Sequence, residues 1–359
     1  MSDAFDKTYD ELDEYIRQQE PDAQHRGYLW QTGIGLQAVD GLTTSEYLIQ
    51  TAKQNIDGDI TLAEAQELIH SYYESRKSRA EVEARTEEAD KVSARIAQLL
   101  AEDTFVFAPT QLTSIHQRLF DGIFDFAGQI RDYNITKREW VLGGESVTYA
   151  GADMIVATLD YDFAQEKAFS YRGLSRLDTI KHLTIFVANL WQIHPFGEGN
   201  TRTTAVFTIK YLRSMGFDVM NTLFAENSWY FRNALVRANY TDITRGVYEN
   251  PSYLEAFFRN LLLGEDNELR NRNLYIGTAT SQGGGDCGIN VGINVGINQT
   301  EQSVLDLLSA NPRMTLSAAA DTLDLGERQV QRIASGLQKK GLLERLGSRK
   351  NGTWHVIGD

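Results

Sequence analysis

The densest chemistry in the chain lies in one nonapeptide, His194-Pro195-Phe196-Gly197-Glu198-Gly199-Asn200-Thr201-Arg202. An unperturbed imidazole titrates near pH 6.5, so His194 could accept a proton from an attacking hydroxyl. Glu198 offers a hard carboxylate oxygen, suited to Mg2+ held jointly by one or two carboxylates and phosphate oxygens. Gly197 and Gly199 permit close backbone approach. A helix opening near Gly199 or Asn200 would aim free N–H groups and its positive dipole end at an anion. Arg202, in the first turn of that helix, adds a planar cation that matches phosphate oxygens. Singly, each residue has a plainer explanation: a structural histidine before proline, a Gly-Glu-Gly turn, a solvated arginine. Together, base, carboxylate, anion nest and guanidinium specify a phosphoryl- or nucleotidyl-transfer site. No Walker A string, Gly-x-x-x-x-Gly-Lys-Ser/Thr, competes elsewhere.

Two helices must position this string. Ile180, Leu183, Thr184, Val187, Leu190 and Trp191 recur at helical spacing and predict one apolar face before it. A second helix is predicted from about Thr201 to Met215, with Ala205, Val206, Ile209 and Leu212 on one side. Pro195, Gly197 and Gly199 break the pattern where the polar groups gather. Residues 102–263 lack strand alternation except near 130–150. Residues 1–100 also read as helices: Thr61 and Glu64 fit a capping box after the turn Asp57-Gly58-Asp59. The stretch from Ser78 to Ala101, rich in Glu, Ala, Arg and Lys, predicts an exposed helix.

The remainder divides by composition. Residues 277–298, with Gly283-Gly284-Gly285 and Gly-Ile-Asn repeated at 288, 292 and 296, read as a linker. Residues 299–359 predict a small domain. Val304, Leu305, Leu307 and Leu308 mark one helix, Leu316, Ala319 and Leu323 a second, and Val330, Ile333 and Leu337 a third. Two alternating stretches follow, Leu342 to Leu346 and Thr353 to Ile357, around a basic tip containing Arg349 and Lys350. That order is a winged helix-turn-helix pattern.

Charge agrees with this division. The 359 residues carry 35 Lys+Arg against 49 Asp+Glu, a net charge of −14, so the whole molecule is no general polyanion binder. Within 328–350, however, seven basic residues face only Glu344. DNA is therefore an expected partner of this end alone, with Arg328, Gln329, Gln331, Arg332 and Ser335 on the exposed side of the recognition helix. One cysteine, Cys287, excludes an intramolecular disulfide and a cysteine-based zinc cluster. The acidic start, Met-Ser-Asp-Ala-Phe-Asp, lacks the features of a signal peptide, and no run approaches the ~18 apolar residues of a membrane span. A cytoplasmic protein without a membrane partner is expected.

The nonapeptide resembles the Fic motif, His-x-Phe-x-(Asp/Glu)-Gly-Asn-x-Arg, at every defining position. The resemblance spans about residues 102–263. Ile115 to Phe120 and Phe126 to Arg131 are similar to the helix and loop that precede the family's target-binding flap, which would be the strand-like stretch from Trp140 to Ala150. It implies transfer of AMP from ATP to a protein Ser, Thr or Tyr hydroxyl, self-modification included. It implies His194 as the base and Glu198 as the Mg2+ ligand. The nucleotide residues would be Phe196 (chiefly a packing anchor), Gly197, Gly199, Asn200, Thr201 and Arg202. Asn239 resembles the family asparagine near the adenine.

Two positions depart from the family pattern. Many members carry a second arginine three residues after the first, where this chain has Ala205, and Thr201 replaces the commoner Gly or Lys. The related Doc toxins, with an altered motif, act as protein kinases, but Gly199 stands here where they carry alanine, which favours AMP transfer. A nucleotide-sensing DNA-binding regulator is the other alternative.

The N-terminal part resembles the small antitoxin modules that cover some Fic sites. Their signature, Ser/Thr-x-x-x-Glu followed by Gly or Asn, has no match before residue 102. Its nearest analogue is Asp40-Gly41, with Leu36 at the Ser/Thr place. The expected architecture is mainly α. An antitoxin-like region covers 1–101, and a helical Fic core with a small β-hairpin flap covers 102–276. A linker at 277–298 and a winged helix at 299–359 complete it, and a homodimer is an expected assembly.

Overall fold

The computed structural model describes residues 11–75, 81–219, 222–276 and, with gaps, 304–356. The chain separates into two compact units, one over residues 10–281 and one within 282–359.

The larger unit is built from helices. Residues 11–17 form α1, followed by α2 (Pro21–Gly35), a 3-10 turn (Leu36–Asp40), α3 (Glu46–Asp57), α4 (Leu62–Glu74) and α5 (Glu81–Ala101). Thr61 and Glu64 cap α4 reciprocally, as their spacing predicted. Next come α6 (Pro109–Phe120), α7 (Ile155–Ala168), α8 (Arg176–Ile193), α9 (Asn200–Ser214), α10 (Leu223–Glu226), α11 (Ser228–Ala238) and α12 (Ser252–Leu263). Helices α8 and α9 are those the apolar spacing predicted, and the active-site string joins them. No described helix is long and apolar enough to cross a membrane.

Helix α9 is the axis of this unit. Every residue from Asn200 to Leu212 is buried, including Thr203, Thr204, Thr208 and Lys210. One apolar side was expected; instead α5, α6, α8 and the 3-10 turn pack around it. Two of its polar side chains bond to backbone carbonyls: the Thr203 hydroxyl donates to the Gly199 carbonyl (2.9 Å), and the Lys210 ammonium to the carbonyls of Leu99 and Glu102 (both 2.6 Å).

Helix α5 corrects the sequence reading. It was expected to be exposed, yet Ala89, Val92, Ile96, Ala97, Leu99 and Leu100 are buried. Charged residues are frequent in it, but small residues on one side let α2 approach closely. A Cβ on Gly33 of α2 would lie 2.4 Å from the Ser93 carbonyl oxygen of α5, closer than any side chain allows. The two helices interlock through glycine and serine, a contact that hydrophobic periodicity does not register.

The flap also differs from expectation. Residues 134–150 contain no strand: Trp140–Leu142 form a 3-10 turn, and a backbone bond from the Glu139 N–H to the Glu145 carbonyl (2.9 Å) closes the loop. Among described residues the one sheet lies in the second unit. There β1 (Leu343–Leu346) pairs antiparallel with β2 (Thr353–Val356), Leu343 opposite Val356. Helices α13 (Leu316–Leu323) and α14 (Glu327–Lys339) precede them. Val304, Leu308, Ala319, Val330, Leu337, Leu343 and Trp354 form the core of this unit. Gln331 and Ser335 are exposed on α14, whereas the side chains of Arg328, Gln329 and Arg332, and all of Arg349 and Lys350, lie outside the described residues.

Replacing Gly33 by alanine should overpack the α2–α5 interface and cost about 1–3 kcal/mol. The check is the denaturant midpoint of the larger unit; an unchanged midpoint would refute the interlock.

Candidate active site

Helix α8 ends at His194, whose backbone is left-handed (φ 49, ψ 60). It is the one non-glycine residue with positive φ among those described. Such a backbone costs on the order of 1–3 kcal/mol and persists only where its surroundings over-determine it. Here they do. The His194 N–H donates to the Trp191 carbonyl (3.1 Å), and the His194 carbonyl accepts from Arg131 Nε (2.8 Å). The Arg131 N–H also donates to the Pro195 carbonyl (2.9 Å), while its guanidinium reaches the carbonyls of Tyr133 and Ala150 (2.6 Å each). One buried arginine thus clasps the active-site loop and both ends of the flap.

The imidazole of His194 is almost wholly buried, with the Tyr149 ring 4.1 Å away and Trp191 edge-on at 4.9 Å. Its Nδ1 lies 3.0 Å from the Trp191 carbonyl oxygen. A carbonyl can only accept, so Nδ1 carries the proton and Nε2 keeps a free lone pair. Burial, with the cations of Lys137, Arg232 and Arg131 nearby, pushes the pKa well below the ordinary histidine value. The group is a neutral base with its basic nitrogen selected.

The rest of the loop is held from beneath. Asn200 accepts from the Phe196 N–H (3.0 Å) and donates to the Phe196 carbonyl (2.7 Å), closing the loop on itself. Phe196 is fully buried and stacks on His116 of α6, centroids 3.7 Å apart. The Gly128 N–H donates to His116 Nδ1 (2.8 Å), so His116 Nε2 donates to the Glu198 carbonyl (3.0 Å). Burial pushes the His116 pKa down to about 4, consistent with that neutral, two-sided role. Gly199 takes φ 76 at the start of α9, where a Cβ would sit 2.4 Å from the Phe120 ring. No side chain caps α9, so its first-turn N–H groups take no side-chain acceptor at the positive dipole end.

Several expected ligand residues therefore have other duties. Phe196 is part of the core, the packing anchor the resemblance implied. The Thr201 hydroxyl is buried and accepts from Trp191 Nε1 (3.0 Å). Asn200 spends its side chain on the loop. Asn239 ends α11 and donates to the carbonyls of Ala188 and Leu235 (3.0 and 2.9 Å), tying α11 to α8. Glu198 projects outward, its side chain 55% exposed and paired with flap Lys137 at 2.8 Å. Among described residues, no group of three or more His, Cys, Asp or Glu gathers into a metal cage. A single exposed carboxylate still fits a Mg2+ completed by phosphate oxygens and water.

Arg202 is buried rather than solvated, its side chain 2% exposed. Its Nε lies 2.8 Å from Asp40 Oδ2 and its Nη2 2.7 Å from Glu88 Oε1. Its Nη1 donates to Gln37 Oε1 (3.0 Å), and the guanidinium lies over the Phe120 ring. All three polar partners come from the N-terminal region. Asp40 is the residue of the degenerate Asp40-Gly41 analogue; Glu88 and Gln37 had no sequence signal. Arg85 holds the same turn by donating to the carbonyls of Asp40 and Gly41.

Comparison with known proteins identifies the central segment. Residues 106–212 match the model of the Fic/DOC family. The protein adenylyltransferase VbhT of Bartonella schoenbuchensis is 25% identical over 145 residues. The match covers 37% of this chain and 29% of that protein. Among solved structures, the Fic domain of the Bep8 protein of Bartonella sp. 1-1C is 19% identical, with a TM-score of 0.41 over 52% of this chain and 88% of that one. A Fic family protein of Desulfovibrio desulfuricans is 13% identical, with a TM-score of 0.43 over 99% and 95%.

Two outcomes test the geometry. Imidazole nitrogen NMR should find His194 neutral and protonated at Nδ1 across about pH 6–8, the range in which an ordinary histidine titrates; titration there would contradict the buried placement. Asn200→Ala should lower stability by about 1–3 kcal/mol, two bonds to Phe196 being lost, measured by thermal unfolding.

Proposed function

We propose that the protein transfers AMP from ATP to a Ser, Thr or Tyr hydroxyl of a protein target, and of itself. The observation that carries this reading is the pairing of a neutral, tautomer-fixed His194 with the uncapped start of α9. The Fic/DOC match and the adenylyltransferase relative support it.

In the proposed reaction the target oxygen attacks the α-phosphorus of ATP. The hydroxyl proton passes to His194 Nε2, the new O–P bond forms, and the bond to the β-phosphate oxygen breaks. Pyrophosphate leaves. The backbone around Gly197 and Gly199 would receive the phosphates, and Arg202 would pair with the outer ones. Glu198 would hold Mg2+ with phosphate oxygens; when bound, the ion neutralises part of the triphosphate charge. For that, Glu198 would exchange Lys137 for the ion.

Regulation belongs to the same reading. Asp40 and Glu88 occupy Arg202 with protein carboxylates, the anions a triphosphate would replace. We assign residues 10–101 an antitoxin-like inhibitory role on this ground, with Asp40 as its principal contact. The second unit we assign to DNA, through the exposed face of α14 and the hairpin. A single such module binds weakly and with strong salt dependence, and dimerisation would raise its affinity.

ATP labelled at the α-phosphate should leave label on protein; label retained only from the γ-phosphate would establish phosphoryl transfer instead. His194→Ala should lower α-label transfer by about 10²- to 10⁴-fold, the usual share of a general base, while leaving retention on DNA intact. Because the His194 pKa is depressed, its base form persists in mild acid. Transfer should therefore not fall between about pH 8 and 6, through which an ordinary histidine would lose its basic form. Asp40→Asn with Glu88→Gln should raise the transfer rate by about tenfold or more, equivalent to about 1.4 kcal/mol; an unchanged rate would remove the inhibitory role.

A further inference from the structure

We propose that Arg232, on α11, is the second anion-binding arginine of this site, facing Arg202 across the outer phosphates of ATP. The proposal rests on the nucleotide-transfer reading above and adds a residue to it. Position 205, where the family pattern often has that arginine, holds an alanine with no exposure, packed inside α9. A cation at that end of the triphosphate must come from another helix.

Two guanidiniums converge on the Asp40 carboxylate. Its Oδ2 lies 2.8 Å from Arg202 Nε, and its Oδ1 lies 3.8 Å from Arg232 Nη1. A carboxylate with a cation at each oxygen is a small-anion site filled by the protein's own side chain. The fit is imperfect. Asp40 Oδ2 and Arg202 Nε are close enough for charge attraction, yet neither has an aligned hydrogen-bond partner, and Arg232 Nε is buried without one. A phosphate group has more oxygens than a carboxylate and presents them tetrahedrally, so it can meet donors that Asp40 leaves unmet.

Arg232 is prepositioned for this duty. Its Nη2 donates to both oxygens of Glu139 in the flap (3.2 and 3.0 Å), and its guanidinium lies over the Trp229 ring at 5.4 Å. The side chain is only 17% exposed. Its remaining edge faces the turn that holds Asp40: Nη1 donates to the Val39 carbonyl (2.5 Å). Displacing that turn would free one edge of the guanidinium and leave the Glu139 anchor intact. Arg232 lies beyond the segment that matches the family model, so the motif gives no hint of it.

The test compares ATP with AMP, which lacks the outer phosphates, by calorimetric titration in an Asp40→Asn, Glu88→Gln background that removes the carboxylates paired with Arg202. Adding Arg232→Gln should weaken ATP binding by about ten- to a hundredfold, the range for hydrogen bonds to charged groups, and change AMP binding less than twofold. Because the substitution strands a buried carboxylate, Arg232→Gln is also made together with Glu139→Gln. The same selective loss there supports the assignment. Equal ATP affinity with and without Arg232, or equal losses for ATP and AMP, would overturn it while leaving the nucleotide site standing. Failure of the Asp40→Asn, Glu88→Gln protein to bind ATP at all would overturn both.

Discussion

A guanidinium cannot shed its proton inside a protein, so burying one obliges the fold to supply anions. Arg202 is buried in the first turn of the central helix, and Asp40 and Glu88 compensate it. That requirement explains why the N-terminal region packs on α9 as part of the same unit. It also explains why α5 is interior despite its polar composition: Glu88 and the close Gly33–Ser93 contact both need it there. Removing both carboxylates without offering another anion would leave an uncompensated buried charge.

A second constraint governs the loop that precedes Arg202. A left-handed histidine backbone and a glycine at positive φ would not hold their geometry alone. Arg131, His116 and Asn200 hold it by donating to or accepting from backbone groups of the loop. Arg131 also bonds both ends of the flap, so flap and loop share one anchor. Glu139 and Tyr149, joined through their side chains, extend the network from Arg232 to the face of the His194 ring. The base and the anion-binding end of the site are thus coupled through buried polar groups, a continuous path of contacts.

Much of the framework was legible from local rules. The capping box at Thr61 and Glu64, the apolar spacing of α8 and the start of α9 at Asn200 depend on neighbours a few residues away. What local rules misjudged were contacts between distant segments. Composition made Ser78–Ala101 look solvated because charged residues are frequent in it, while the small residues that permit close packing carry little hydrophobic signal. Alternation near 140–150 suggested strands, but without a partner edge among the described residues the segment is held by side-chain bonds and a 3-10 turn. Thr201 had the type expected of a ligand contact and is consumed by packing.

By itself, the sequence determined the chemical inventory: a histidine, a carboxylate, two glycines and an arginine at spacings that place them around one helix start. Those properties follow from residue type and from the pitch of the helix. The tertiary structure decided their states. It chose the His194 tautomer through a carbonyl three residues back, depressed its pKa by burial, and paired Arg202 with carboxylates more than a hundred residues away. It also brought Arg232 to the same carboxylate as Arg202. Protonation, burial and counter-ion identity depend on what surrounds a group in space, and no spacing along the chain encodes that.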